Sequence, residues 1–204
     1  MREDLQQDKR SALLAVARMF DDFRVPYAVT GGVALQLYSS EIRYTVDLDV
    51  VTSRREFEPI REAQPWDRYG LELVLDRRRY MKLRHPASNV DIDLNLDTRF
   101  LPLLEGITVE HVEGMPVRFV SLTNLAVAKL RTQRSDWPRT EEKRLQDRVD
   151  LMRLLRANPH VAEAARSHPL TNDEMRRILD DILALLRKPS SDDLPPEDGA
   201  DGDA

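Results

Sequence analysis

Residues 27–52 read YAVTGGVALQLYSSEIRYTVDLDVVT, and the order of textures in this stretch decides the fold. Tyr27-Ala28-Val29-Thr30 is a short apolar run of the kind that forms a buried strand. Gly31-Gly32 interrupts it, and VALQLYSS then has the make-up of a two-turn helix. Tyr44 to Thr52 returns to β-branched alternation and is a second strand. Within it, Asp47-Leu48-Asp49 puts both carboxylates on one face and Val46 and Leu48 on the other. Two like charges at that spacing repel, so the pair makes sense if a cation lies between them.

Upstream, residues 3–24 carry Leu13, Val16, Ala17 and Phe20 at i, i+3, i+4 and i+7, an amphipathic helix that Val25-Pro26 ends. Downstream, Ser53-x-x-Glu56 is a capping box opening a helix through Ala63. Strand patterns follow at 70–75, 79–84, 89–96, 106–112 and 116–120, with Glu113-Gly114 as a turn between the last two. Beyond Ser121 the period is helical at 122–134, 141–157 and 172–187, and Thr171-x-x-Glu174 reads as another capping box. The order is a mixed α/β part over 1–120, then an all-helical part over 121–188.

Residues 189–204 are Pro, Gly, Ser and Asp with little to bury, and predict a disordered acidic tail. Removing its six acids from the net charge of −5 leaves the remainder near +1. Cysteine is absent, which excludes thiolate metal sites and thiol nucleophiles. The four histidines show no ligand spacing, so a histidine zinc site is not expected. No apolar run approaches a membrane span, and the N-terminus lacks a secretory pattern; a cytoplasmic protein without membrane partners is expected.

Asp91-Ile92-Asp93 repeats the paired-acid pattern in a second strand. Carboxylates converging from two strands suit Mg²⁺, a hard ion that keeps its other positions for water and phosphate oxygens. Gly31-Gly32 supplies a complementary part. A strand running through glycines into a helix exposes backbone N–H groups at the helix N-terminus, where phosphate binds, and glycine allows close approach. Gly32 precedes Asp47 by fifteen residues, room for one helix and a return. A triphosphate at the glycines then faces a metal on the aspartates.

Gly31-Gly32 followed by Arg43-x-Thr45-x-Asp47-x-Asp49 resembles the signature of the nucleotidyltransferase superfamily related to DNA polymerase β. In its "GG…RxTxDxD" form it is most similar to the AbiEii-type nucleotidyltransferases, toxins of bacterial toxin–antitoxin and phage-defence systems. Leu125-Ala126-Val127-Ala128-Lys129-Leu130 resembles that group's helical "LxxxKL" element. Gln146-Asp147-Arg148-Val149-Asp150-Leu151 is similar to its "RDxxDL" element, with Gln146 where arginine is usual. The resemblance implies an α+β fold, a small mixed sheet with flanking helices as the nucleotidyltransferase core followed by a C-terminal helical bundle, and an enzyme (EC 2.7.7.-) using an NTP with Mg²⁺ or Mn²⁺. It implies that Gly31 and Gly32 hold the triphosphate, with Arg43 and Thr45 beside it. Asp47 and Asp49 ligate the metal, and a third acid activates the attacking hydroxyl. That acid is Asp91 or Asp93, with Asp91 preferred for its place after Val90. Lys129 contacts the phosphates and Asp147 completes the site. The plainer alternatives are a helix lysine lying over apolar neighbours for Lys129, an i,i+4 partner of Lys143 for Asp147, and a strand-edge ion pair for Arg43.

Residues 76–85 (DRRRYMKLRH) concentrate five bases with Tyr80 available to stack, a pattern that suits an RNA backbone or a charged edge strand. Because the related toxins modify tRNA, tRNA is the leading acceptor and a cognate antitoxin the expected partner. The alternatives are transfer to an antibiotic hydroxyl or a protein side chain, and a non-catalytic nucleotide- or RNA-binding protein.

Overall fold

The computed structural model describes residues 7–39 and 45–187. Arg43, Tyr44 and the acidic tail at 189–204 lie outside the described residues. Helix α1 (Gln7–Asp22) buries Leu13, Val16, Ala17 and Phe20 completely, as their spacing requires. Arg24 then enters the left-handed region at φ 55° and turns the chain before Val25-Pro26. Strand β1 (Tyr27–Thr30) runs without a connecting loop into α2 (Gly31–Tyr38). Strand β2 (Asp47–Thr52) follows, and Ser53 caps α3 (Arg54–Ala63) by accepting from the Glu56 backbone N–H.

Three strands come next: β3 (Glu72–Arg77), β4 (Tyr80–His85) and β5 (Val90–Asn95). After a 3₁₀ segment, Thr98–Leu104, β6 (Thr108–Val112) and β7 (Met115–Phe119) form a hairpin. Its two turn residues, Glu113 and Gly114, both have positive φ (52° and 81°), the conformation that matches strand twist. The sheet order is β3-β4-β5-β2-β1-β7-β6. β2 pairs parallel with β5 and β1 parallel with β7; the other pairs are antiparallel.

This order places β2 and β5 at the centre. Leu48, Val50, Ile92 and Leu94 are fully buried in one cluster with α1 residues. Each such side chain contributes about 1.5–3 kcal/mol relative to exposure. Alternation sends the aspartates of both strands to the opposite face, which the 3₁₀ segment and α2 approach.

The helical part comprises α4 (Leu122–Thr132), α5 (Glu141–Ala157), α6 (Val161–Arg166) and α7 (Asp173–Leu186). Leu125 and Leu154 join the sheet's cluster, whereas Val127, Leu130, Leu151, Leu155, Leu179 and Ile182 form a second cluster. The α7 cap differs from the expected one. Asn172, not Thr171, accepts from the Met175 backbone N–H, and Thr171 donates to the Ala165 carbonyl instead. Glu174 is then free of a capping role and accepts from Ser135 in the α4–α5 connection.

Candidate active site

The register fixes the acids. Asp47 lies beside Asp91 and Asp49 beside Asp93 on adjacent parallel strands, while Thr30 on β1 faces Asp49 from the other side. Gly31 follows at φ 65°, and a Cβ built there would sit 1.9 Å from Asp49 Oδ2. Only glycine fits against that carboxylate, and only glycine takes that backbone conformation without strain. Thr30 caps α2 with no side-chain hydrogen bond, and no acidic side chain sits in its first turn. The helix therefore opens its N–H groups beside Asp49. Thr45, buried, donates to Asp47 Oδ1 at 3.1 Å.

The helices supply cations. Ser121 caps α4 and Thr140 caps α5, which sets Lys129 and Asp147 facing each other. Lys129 Nζ lies 2.6 Å from Asp147 Oδ1 and 2.8 Å from Asp150 Oδ2, all three buried. Arg139 Nε lies 2.6 Å from Asp147 Oδ2. Lys129 is thus no surface lysine, and Asp147 pairs with Lys129 and Arg139 rather than with Lys143. One partner removed from such a buried set leaves an uncompensated charge, at a cost of about 3–5 kcal/mol.

Two adjoining hollows of about 270 and 360 Å³ share Asp49, Asp93, Lys129, Arg139 and Asp147 as a common wall. The larger is polar, with Gly32, Thr45, Asp47, Lys143 and Gln146. The smaller is edged by Gly31, Tyr80, Phe100, Leu125 and Trp137. Phe100 and Trp137 meet edge to face at 5.7 Å, backed by the buried Arg131 guanidinium at 4.7 and 5.2 Å from their centroids. Arg144 donates to the carbonyls of Thr132, Arg134 and Trp137, which ties the connection carrying Trp137 and Arg139 to α5.

Asp49 is pushed up to about 6, by burial first and then by the Asp47 charge, against the pull of Lys129 and Arg139. Asp91 behaves oppositely. Arg84 Nε bonds its Oδ1 at 2.7 Å and Lys82 Nζ lies 3.3 Å from its Oδ2, so Arg84 above all holds it below the usual carboxylate range. Asp91 lines a separate hollow with Lys82, Arg84, Asn89 and the outer side of Asp47. Asp93 lines both main hollows; its Oδ1 accepts from Tyr80 Oη at 2.6 Å, with Lys82 Nζ at 3.2 Å. Burial and the bond to Asp93 raise the Tyr80 phenol.

Of the residues expected at the site, Gly31, Gly32, Thr45, Asp47, Asp49, Asp93, Lys129 and Asp147 line the paired hollows; Asp91 stands outside them. Arg43 lies outside the described residues. Phe100, Trp137 and Arg139 join the wall without a motif to announce them. Among the described residues no three carboxylates or histidines form a ready-made metal cage. Mg²⁺ does not need one, because it is bound through one or two carboxylates and completed by water and substrate phosphates. The repulsion between Asp47 and Asp49 fits such an ion.

No protein-family model matches the chain, and no curated protein does. Solved structures do match. An antigenic nucleotidyltransferase-like protein from Paracoccidioides brasiliensis is 19% identical with a TM-score of 0.56, over 88% of this chain and 89% of that one. ANT(2")-Ia, solved in complex with adenylyl-2"-tobramycin, is 14% identical with a TM-score of 0.49, over 85% and 97%. JHP933 from Helicobacter pylori is 16% identical with a TM-score of 0.44, over 89% and 94%. At these identities the likeness is one of fold, and the mixed α+β architecture is that of the nucleotidyltransferase-like protein. Among the described residues no helix is long and apolar enough to cross a membrane.

Proposed function

We propose that this chain is a divalent-metal-dependent nucleotidyltransferase that moves a nucleoside monophosphate from an NTP to an acceptor hydroxyl. One observation carries this reading. Asp49 lies in register with Asp93 on one side and against Gly31, at the open start of α2, on the other. A phosphate binder, a metal-ligating pair and a base candidate are thus neighbours on one face.

The roles follow from position. The first-turn N–H groups at Gly31 and Gly32 hold the triphosphate through free donors and the helix dipole. Asp47 and Asp49 hold Mg²⁺ or Mn²⁺, which when bound offsets the charge that develops on the phosphorus oxygens and the leaving pyrophosphate. Asp93, which lines the paired hollows, takes the proton of the attacking hydroxyl, whereas Asp91 lies outside them and is held by Arg84. Lys129 and Arg139, anchored by Asp147, set positive charge toward the phosphates. Phe100 and Trp137 offer aromatic surface to a planar ring.

The acceptor we propose is tRNA, with the chain acting as the toxin of a toxin–antitoxin pair. The toxin role rests on the AbiEii-like order of motifs. The acceptor rests on the same resemblance and on the five bases concentrated over 77–84, of which Lys82 and Arg84 line the hollow beside the paired ones. The test is incubation with Mg²⁺ and each labelled NTP, with and without tRNA. Label is expected on tRNA, and none with Asp49→Ala. Undiminished labelling by that variant would falsify the catalytic assignment; label on protein or small hydroxyl compounds alone would remove tRNA.

A further inference from the structure

Four neighbouring strands set four groups in a row along one cleft: Tyr80 on β4, Asp93 on β5, Asp49 on β2, and Gly31 where β1 enters α2. The base candidate already holds a hydroxyl, and that hydroxyl belongs to the chain itself: Tyr80 Oη donates to Asp93 Oδ1 at 2.6 Å. We propose that Tyr80 is an acceptor, so that the chain transfers a nucleoside monophosphate onto its own phenol. The inference rests on the nucleotidyltransferase reading above.

The order of the row is what an in-line displacement needs. The leaving pyrophosphate lies toward α2, the α-phosphate over the Asp47–Asp49 pair, and the nucleophile on the far side, toward β5 and β4. The Tyr80 backbone is fixed by pairing with Arg77 on β3 and Asn95 on β5, and the bond to Asp93 sets its phenolic oxygen. In the step, the Tyr80 O–H bond breaks and its proton passes to Asp93 along the existing hydrogen bond. The phenolic oxygen forms a bond to the α-phosphorus of the metal-bound NTP. The bond from that phosphorus to the bridging oxygen breaks, and pyrophosphate leaves with its electron pair. Lys82, between Asp91 and Asp93, keeps Asp91 as a partner when Asp93 becomes neutral. The product is a tyrosyl phosphodiester whose nucleoside stays in the smaller hollow, so the reaction stops after one turnover and blocks the cleft.

The experiment uses the full chain, Mg²⁺ or Mn²⁺ and each of the four NTPs, with no added acceptor. Intact mass, peptide mapping and pyrophosphate release are read together, and NTP binding is followed by calorimetry on the same preparation. The expected result is one nucleotidyl group per chain at Tyr80, one pyrophosphate released per group, and removal of the adduct by a phosphodiesterase. Tyr80→Phe is expected to lose the adduct. A protein that binds the NTP but gains no mass, or gains it on another residue, overturns self-modification and leaves the nucleotidyltransferase reading standing; Tyr80 is then a positioning residue for Asp93. A protein that binds no NTP with either metal overturns both. Mapping on the unaltered chain decides the question even if Tyr80→Phe fails to fold.

Discussion

Asp47-Leu48-Asp49 and Asp91-Ile92-Asp93 are near copies: the same alternation, the same face, adjacent strands, matched register. Their surroundings differ. β5 has β4 at its side, which brings Tyr80, Lys82 and Arg84 against its acids. β2 has β1 at its side, which brings Thr30 and then a glycine with no side chain at all. Among the described residues no ion pair reaches Asp47 or Asp49, and Asp49 is pushed up to about 6. Paired acids thus stand without ion pairs among the described residues where the next strand fails to answer them, as the proposed cation site requires, and make an ordinary charged sheet surface where it does.

That contrast can be broken by mutation. The largest effect is expected at Asp49. Asp49→Asn should lower nucleotidyl transfer by about 10³-fold, several kcal/mol of lost charge stabilisation, measured with labelled NTP under single-turnover conditions. Asp93→Asn should cost about 10²-fold in the same assay, the usual worth of a positioned base. Asp91→Asn, by contrast, should leave transfer within tenfold of the parent and shift stability by no more than about 1 kcal/mol. Equal losses at Asp91 and Asp93 would erase the distinction drawn here.

Stability gives a second handle. The folded-state value of Asp49 lies above its unfolded 3.8, so ionising it costs the folded protein. Its contribution is therefore fully favourable below about pH 4 and is lost as pH rises through about 6. Without divalent cation, Asp49→Asn should be more stable than the parent at pH 7 by up to about 3 kcal/mol, and the gap should close toward pH 4. Thermal melts with a chelator across that range check the sign; a gap that widens on acidification contradicts it. Gly31→Ala should destabilise by about 2 kcal/mol or more, because its Cβ meets the Asp49 carboxylate in a backbone conformation unsuited to alanine. Denaturant unfolding measures it, and pairing Gly31→Ala with Asp49→Ala should recover part of the loss. Arg84→Gln should be smallest, with a denaturant midpoint close to the parent's, as for an exposed ion pair.

Much of this was legible in the sequence because it rests on local pattern. The alternation of 44–52 and 89–96, the helical periods of 3–24, 122–134 and 141–157, and the Ser53 cap all depend on residues a few positions apart. The sequence leaves the third acid as Asp91 or Asp93 with Asp91 preferred, and their surroundings are not legible in it, since no local feature says that Lys82 and Arg84 will lie across from Asp93 and Asp91. Trp137 and Phe100 were invisible for the same reason: they sit between the main elements, and only the packing of α4 and α5 on the sheet brings them to the cleft. The α7 cap was misplaced by one residue because Thr171 and Asn172 are both competent, and Thr171 is drawn inward to a carbonyl.

The hairpin Glu72–His85 lies at the margin of the sheet and joins it only through β4 against β5. Tyr80 and Lys82, which address Asp93, ride on that margin, whereas the carboxylates proposed to hold the metal ride on the interior strand β2. An exchange of the outward side chains that keeps Met81 and Leu83, both fully buried in the core, would alter what meets Asp93 while leaving the interior strands supported.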